Sequence, residues 1–127
     1  SFEGRSIGED RPTFFVADIS ANHVGNLYRA INLIYLAAGA GADAAKFQNF
    51  SADTIVSDKG FEEIGKKTHQ STWKKSVYEV FKDASIPEEW TSKLKEACDR
   101  ASIVYFTTPY SLEIVDQVDP FVSLYKI

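Results

Sequence analysis

Short apolar segments alternate with segments of helical periodicity along the chain, and this order limits the folds open to it. The apolar segments predict four strands, at about residues 13–19, 42–50, 103–111 and 121–127. Helices are predicted for "NLYRAINLIYLAAGAGA", for the segment from "IPEEW" to about Ala101 and for "LEIVDQV", with Gly41 as a left-handed cap of the first. A strand–helix–strand order implies parallel strands joined by right-handed crossovers, so we predict an α/β fold.

The length of each strand–helix unit favours a (β/α)8, or TIM, barrel. A complete barrel takes about 250 residues, and this chain has 127. We therefore predict that residues 1–127 form roughly the first half of a barrel domain, with the second half-barrel outside the chain. A flavodoxin-like sheet of about five strands is the alternative, because it has a similar size, although only four strands are predicted.

Composition excludes several classes of protein. The net charge is -4 and the lysines are dispersed, which argues against a surface for nucleic acid. Cys98 is the only cysteine, so no disulfide can form within the chain, and a buried thiol is expected. No apolar run reaches the roughly 20 residues that span a bilayer, and no signal-peptide pattern opens the chain. We expect a cytoplasmic protein with no membrane contact, and the absence of methionine suggests that the chain belongs to a longer gene product.

Side-chain alternation predicts where the strands place polar groups. Four rows of residues should face inward: Val16, Asp18 and Ser20; Ala44, Lys46 and Gln48; Val104, Phe106 and Thr108; and Val122, Leu124 and Lys126. In each row, apolar residues precede polar ones near the carboxyl end of the strand. That end of a barrel carries the active site. The predicted site therefore contains Asp18, Lys46, Gln48, Thr108 and Lys126.

Two lysines in one small site repel each other and lose hydration, which favours an anion between them. A phosphate or carboxylate ligand meets that requirement, and Asp18 can keep a lysine charged or act as a general acid or base. The simpler alternative is that both lysines reach solvent and Asp18 caps the next helix. A lysine Schiff base, as in barrel aldolases, also stays open.

Polar residues of the two long connections are further candidates. Asn22 can orient a polar substrate, and His23 can bind metal or donate a hydrogen bond to substrate. His69 and Trp73 lie in a segment of little periodicity, where a solvated histidine and an anchoring tryptophan are favoured over substrate contacts.

Five segments together resemble the N-terminal half of the sialic acid synthase family: "VADISANHVGN", "AGADAAKFQNF", "YEVFKDASIPEEW", "YFTTPYS" and "YKI". The resemblance extends from Phe14 to Ile127. It implies a (β/α)8 barrel followed by an antifreeze-like domain, in a homodimer. It also implies condensation of phosphoenolpyruvate with an N-acetylated amino sugar. The implied reaction begins with attack of C3 of phosphoenolpyruvate on an aldehyde that manganese or magnesium would polarise. Water then adds to the cationic C2 and phosphate departs, which leaves a nonulosonic acid.

The resemblance also implies roles for single residues. Lys46, Thr108 and Lys126 match the groups that hold phosphoenolpyruvate. Asp18 stands where the family usually has glutamate, near the reacting carbons, and is taken as the catalytic residue. Asn22, His23 and Gln48 are expected to orient substrate, and the ligands of the metal to lie mostly outside this chain.

Three departures from the family pattern bear on activity. Asp18 is one methylene shorter than glutamate, Ser20 replaces a usual glycine, and Val24 replaces a common asparagine or lysine. The chain also ends before the second half-barrel, so we predict that it is inactive by itself. A phosphorelay receiver module and a degenerate barrel that binds sugar acids without turnover are the alternative functions.

Overall fold

A computed structural model of the chain describes residues 3–55 and 75–127. The strands are β1 (Val16–Ser20), β2 (Ala44–Asn49) and β3 (Val104–Pro109). The helices are α1 (Leu27–Gly39), α2 (Ala52–Ile55), α3 (Val77–Ala84), α4 (Trp90–Arg100) and α5 (Leu112–Val118), followed by a 3-10 turn at Asp119–Phe121. His69 and Trp73 lie outside the described residues.

The three strands form one parallel sheet with the order β1-β2-β3. Strand β2 is therefore the central strand and pairs with both of its neighbours. In a flavodoxin-like sheet the first strand lies between the second and third instead. The observed order excludes that alternative and is the order that successive units of a (β/α)8 barrel require.

Local side-chain chemistry explains where the helices begin and end. Asn26 Oδ1 accepts a hydrogen bond from the backbone N–H of Arg29 at 3.0 Å and caps α1. Gly41 has a φ of +93° and ends the same helix, as predicted. Helix α4 begins at Trp90, later than the sequence predicts, because Pro87 and Glu88 form the turn that precedes it. Within residues 3–55 and 75–127, no helix is long and apolar enough to cross a membrane.

The two faces of the sheet carry separate apolar clusters. The larger cluster lies between the sheet and helices α1 and α4, where Phe47, Ile34 and Leu94 are completely buried. A smaller cluster lies on the opposite face and consists of Ala44, Val104 and Phe106, with the partly buried Phe14 and Leu124 packed against it. This second cluster follows the predicted inward rows, since it contains members of three of them.

The fourth predicted strand, residues 121–127, is reduced to one bridge. Tyr125 pairs with Thr107 in the parallel direction, and no further ladder is present in the described chain. The 3-10 turn that ends at Phe121 takes the start of this segment. The predicted direction and neighbour are therefore confirmed, whereas the predicted length is wrong.

Asp43 joins all three strands at their amino-terminal end. Its carboxylate accepts hydrogen bonds from the backbone N–H of Phe15 at 2.8 Å and from the Arg5 guanidinium at 2.6 Å. Its backbone N–H donates to the Phe15 carbonyl at 2.8 Å, and its own carbonyl accepts from the Val104 N–H at 2.9 Å. Arg5 also donates to the Ser102 carbonyl at 2.8 Å, so this end of the sheet is held by charged and backbone hydrogen bonds.

Candidate functional site

Strand register brings most of the predicted site residues together at the carboxyl end of the sheet. Asp18 is paired in register with Lys46, which is itself paired with Phe106. Two residues further along the strands, Gln48 is paired with Thr108. Four polar side chains from three strands therefore share one small area, as side-chain alternation predicts.

Asp18 and Lys46 form an ion pair. Asp18 Oδ2 lies 2.8 Å from Lys46 Nζ, and the side chains are 55% and 17% exposed, respectively. The Lys46 side chain is mostly buried, and the Asp18 carboxylate supplies the opposite charge beside its ammonium. Helix α1 is capped by Asn26 instead, so the alternative that Asp18 is a helix cap is wrong.

A bulge interrupts β1 directly after Asp18. Ser20 is paired in register with Phe47 rather than with Gln48, and its φ is +50°. The predicted strict alternation of β1 therefore fails at its last residue, because a bulge shifts every later side chain. The Ser20 hydroxyl nevertheless donates to Gln48 Oε1 at 2.7 Å, so Ser20 orients the amide of Gln48.

The link between Lys126 and the strands of the site is a backbone hydrogen bond. Its N–H donates to the Thr107 carbonyl at 3.1 Å, while its exposed side chain donates to the Ile127 carbonyl. Lys126 makes no ion pair within residues 3–55 and 75–127. Lys46 thus has a carboxylate partner on the neighbouring strand, whereas Lys126 is linked to β3 through its backbone N–H.

Asn22 and His23 do not join this group. The Asn22 side-chain amide donates to the Ile19 carbonyl at 2.9 Å, within the loop that follows β1. His23 is completely buried, and its ring meets that of Trp90 edge to face at a centroid distance of 5.5 Å. Burial lowers the pKa of His23. His23 thus lies beside Trp90 and away from the ion pair, and its expected role in orienting substrate stays a prediction.

The loop between β1 and α1 has an unusual backbone. Val24 and Gly25 have φ angles of +46° and +71°. The left-handed region is strained for a β-branched residue and costs about 1–3 kcal/mol. A cavity of about 760 Å³ lies between this loop and the C-terminal end of α3, and Val24, Gly25 and Trp90 line it. None of the predicted site residues lines this cavity.

Sequence reasoning missed a buried polar pair beneath the site. Thr107 Oγ1 donates to Asn49 Oδ1 at 2.6 Å, and both side chains are at most 4% exposed. The pair joins β2 to β3 one position away from Gln48 and Thr108. Two polar residues on the helix-facing side of buried strands are the signal that would have revealed it, because such groups require a partner.

The described residues do not fit a metal site. Within residues 3–55 and 75–127, no three histidine, cysteine, aspartate or glutamate side chains converge on one point. A divalent cation prefers several such oxygen or nitrogen ligands. Any metal site would therefore need ligands from residues outside those described.

Comparison with known proteins identifies relatives of this chain. The model of the NeuB family matches residues 33–127. A pseudaminic acid synthase of Campylobacter jejuni is 34% identical over 93% of this chain and 34% of its own length. An N,N'-diacetyllegionaminic acid synthase of Legionella pneumophila is 32% identical over 86% of this chain and 30% of its own length. The chain thus spans about a third of the length of these curated relatives.

A solved structure has the same fold. The crystal structure of N-acetylneuraminic acid synthetase from Leptospira borgpetersenii superposes with a TM-score of 0.77 and 26% identity. The match covers all of this chain and 40% of that one. The sequence matches the family model and the parallel α/β fold matches this solved structure, so the chain belongs to the NeuB family.

Proposed function

We propose that the complete protein carrying this chain condenses phosphoenolpyruvate and water with an N-acetylated amino sugar, giving a sialic-acid-type nonulosonic acid and phosphate. The observation that carries this proposal is the Asp18–Lys46 pair beside Gln48 and Thr108 at the carboxyl ends of three parallel strands. Membership of the NeuB family supports the same reaction class. We further propose that the three strands are the first of a (β/α)8 barrel.

In this proposal Lys46 binds the phosphate or carboxylate of phosphoenolpyruvate. Its ammonium is held by Asp18 at 2.8 Å on a side chain that is only 17% exposed, so the positive charge is positioned before an anion binds. Thr108 lies in the neighbouring row and adds a hydroxyl donor. Lys126 adds a second positive charge, from the segment that is hydrogen-bonded to Thr107.

Asp18 has two roles in this proposal. Its carboxylate orients Lys46, and it balances charge or moves a proton when the new carbon–carbon bond forms. Gln48, whose amide oxygen accepts from Ser20, orients the sugar through its remaining N–H groups. No step is assigned to a metal ion, because the described residues do not form a site for one.

The phosphorelay alternative finds no support. A receiver module has a flavodoxin-like strand order, which differs from the one observed here. It also needs a phosphoaccepting aspartate at the end of the third strand, whereas β3 ends in Thr107, Thr108 and Pro109. The degenerate barrel that binds a sugar acid without turnover stays as the alternative outcome of the experiment.

The test is phosphate release from phosphoenolpyruvate by the complete protein, with manganese or magnesium added. The sugars are N-acetylmannosamine and its diacetamido relatives, since two similar proteins are named pseudaminic and diacetyllegionaminic acid synthases. Release that depends on one sugar supports the proposal and identifies the substrate. Binding of phosphoenolpyruvate without release by any sugar favours the degenerate barrel.

A comparison of two lysine variants tests whether phosphoenolpyruvate binds at this site. Lys46→Ala should abolish phosphoenolpyruvate binding, whereas Lys93→Ala, at an exposed position of α4, should leave it unchanged. Equal binding by both variants would remove Lys46 from the proposed site.

A further inference from the structure

His23 fixes the loop after β1 from inside the protein. Its Nδ1 accepts a hydrogen bond from the backbone N–H of Gly25 at 3.1 Å. A ring nitrogen that accepts a hydrogen bond carries no proton, so His23 is the neutral tautomer with its proton on Nε2. That Nε2 is buried and has no hydrogen-bond partner among the described residues. The ring therefore acts through Nδ1 and through its contact with Trp90.

The loop needs such support because its backbone is unfavourable. Val24 and Gly25 occupy the left-handed region, and a Cβ at Gly25 would lie 3.2 Å from the Asp83 carbonyl oxygen. The loop is thus pressed against the C-terminal end of α3 on one side and holds the His23 ring on the other. Without the Nδ1 acceptor, the Gly25 N–H loses its partner in a segment that resists this conformation.

Hydrogen bonds connect the loop after β1 to the residues of the proposed site. The Asn22 N–H donates to the Ile19 carbonyl at 3.0 Å, and so does the Asn22 side chain. Ile19 lies between Asp18, which pairs with Lys46, and Ser20, which donates to Gln48. A movement of the loop would therefore shift both side chains that orient Lys46 and Gln48.

We infer that His23 is a positioning residue: its Nδ1 holds the β1–α1 loop so that Asp18 and Ser20 keep Lys46 and Gln48 in their working geometry. His23 does not contact substrate in this inference. The inference rests on the proposed function only for its kinetic test, since the hydrogen bond can be measured without any substrate.

Two substitutions separate this role from a substrate contact. In His23→Asn, the amide oxygen hangs on Cγ, as Nδ1 does, so it can still accept from Gly25. In His23→Gln, the amide hangs one carbon further out and resembles Nε2 instead. We expect His23→Asn to keep kcat/KM for phosphoenolpyruvate within about threefold, and His23→Gln to lose about 100-fold, as a misplacement of about 1 Å can cause.

The opposite order, with His23→Gln more active than His23→Asn, would overturn the inference, because it would show that Nε2 is the working atom. Equal losses in both variants, with melting temperatures close to that of the parent protein, would also overturn it. An inactive parent protein refutes the proposed function, and the spectroscopic test below then decides the inference alone.

The spectroscopic test uses the unaltered protein. Nitrogen-15 NMR of histidine-labelled complete protein at neutral pH distinguishes a protonated from an unprotonated Nδ1, and His23→Asn assigns the signal. An unprotonated Nδ1 that accepts a hydrogen bond supports the inference. A proton on Nδ1 overturns it, because the Gly25 N–H would then have no acceptor.

Discussion

Asp18→Asn should destabilise the protein more than Lys46→Met, although both changes break the same ion pair. The reason is burial, because the Lys46 side chain is 17% exposed and that of Asp18 is 55% exposed. Asp18→Asn leaves the charge of a mostly buried lysine side chain without its carboxylate. Lys46→Met leaves a carboxylate that faces water, and methionine replaces the apolar stem of the lysine.

The distance sets the magnitude. At the observed 2.8 Å, the Coulomb energy of the pair ranges from about 1.5 kcal/mol in water to about 6 kcal/mol at an effective dielectric constant of about 20. Because Asp18 is more than half exposed, solvent screening places the pair near the lower value. We expect Asp18→Asn to lower the free energy of unfolding by about 1–2 kcal/mol and Lys46→Met by less than about 1 kcal/mol.

Urea unfolding of the complete protein measures this difference. The control is Glu96→Gln, which breaks the pair with Arg100 at 2.6 Å on the surface of α4, where both side chains are more than 60% exposed. That control should cost about 0.5 kcal/mol or less. Calorimetry should show the opposite order for phosphoenolpyruvate binding: Lys46→Met should weaken it at least about tenfold, and more than Asp18→Asn does. A larger loss of stability in Lys46→Met than in Asp18→Asn would refute the burial argument.

Three further predictions concern buried groups. Burial raises the pKa of Cys98 to about 12, so the folded protein should not react with a disulfide reagent at pH 8, and rapid reaction before unfolding would contradict this. Burial lowers the pKa of His23 below its ordinary value of about 6.5. As the pH falls below about 6.5, the unfolded chain therefore binds more protons than the folded protein, and the folded protein loses stability. The urea midpoint should therefore drop more between pH 7.5 and 5.5 in the parent than in His23→Asn, and parallel curves would argue against it. Thr107→Val leaves the buried oxygen of Asn49 without its donor and should cost about 1–3 kcal/mol in urea unfolding. The control Thr108→Val should cost less stability but weaken phosphoenolpyruvate binding; equal unfolding costs would contradict the assignment.

Much of the fold follows from local pattern. Helix α5 begins and ends where "LEIVDQV" predicts, because Ser111 caps it and its apolar residues recur at helical spacing. The position of Asp18 and Lys46 on one face of the sheet follows from the period of two along each strand, once the strands are parallel and adjacent. The helix depends on a few neighbouring residues, and the shared face depends only on the period and order of the strands, so both can be predicted from one sequence.

The features that were missed depend on contacts between distant segments. The bulge after Asp18 arises from pairing between β1 and β2, and no residue of β1 specifies it alone. His23 is buried in the β1–α1 loop against Trp90, which comes from the distant helix α4. The last predicted strand lies beside β3 as expected, yet Tyr125 alone pairs with Thr107 of β3 in the described chain. An apolar pattern does not make a strand unless the backbone also pairs with a neighbour.

The hydrogen bonds of Asp43 have an evolutionary consequence. They lock the three strands at the end of the sheet opposite to Asp18 and Gln48. Changes in the loops at the carboxyl ends therefore leave these hydrogen bonds intact. Such loops can differ in sequence without disrupting the sheet. Exchange of such a loop would change the groups that surround the carboxyl ends of the strands, while Arg5 and Asp43 hold the opposite end of the sheet.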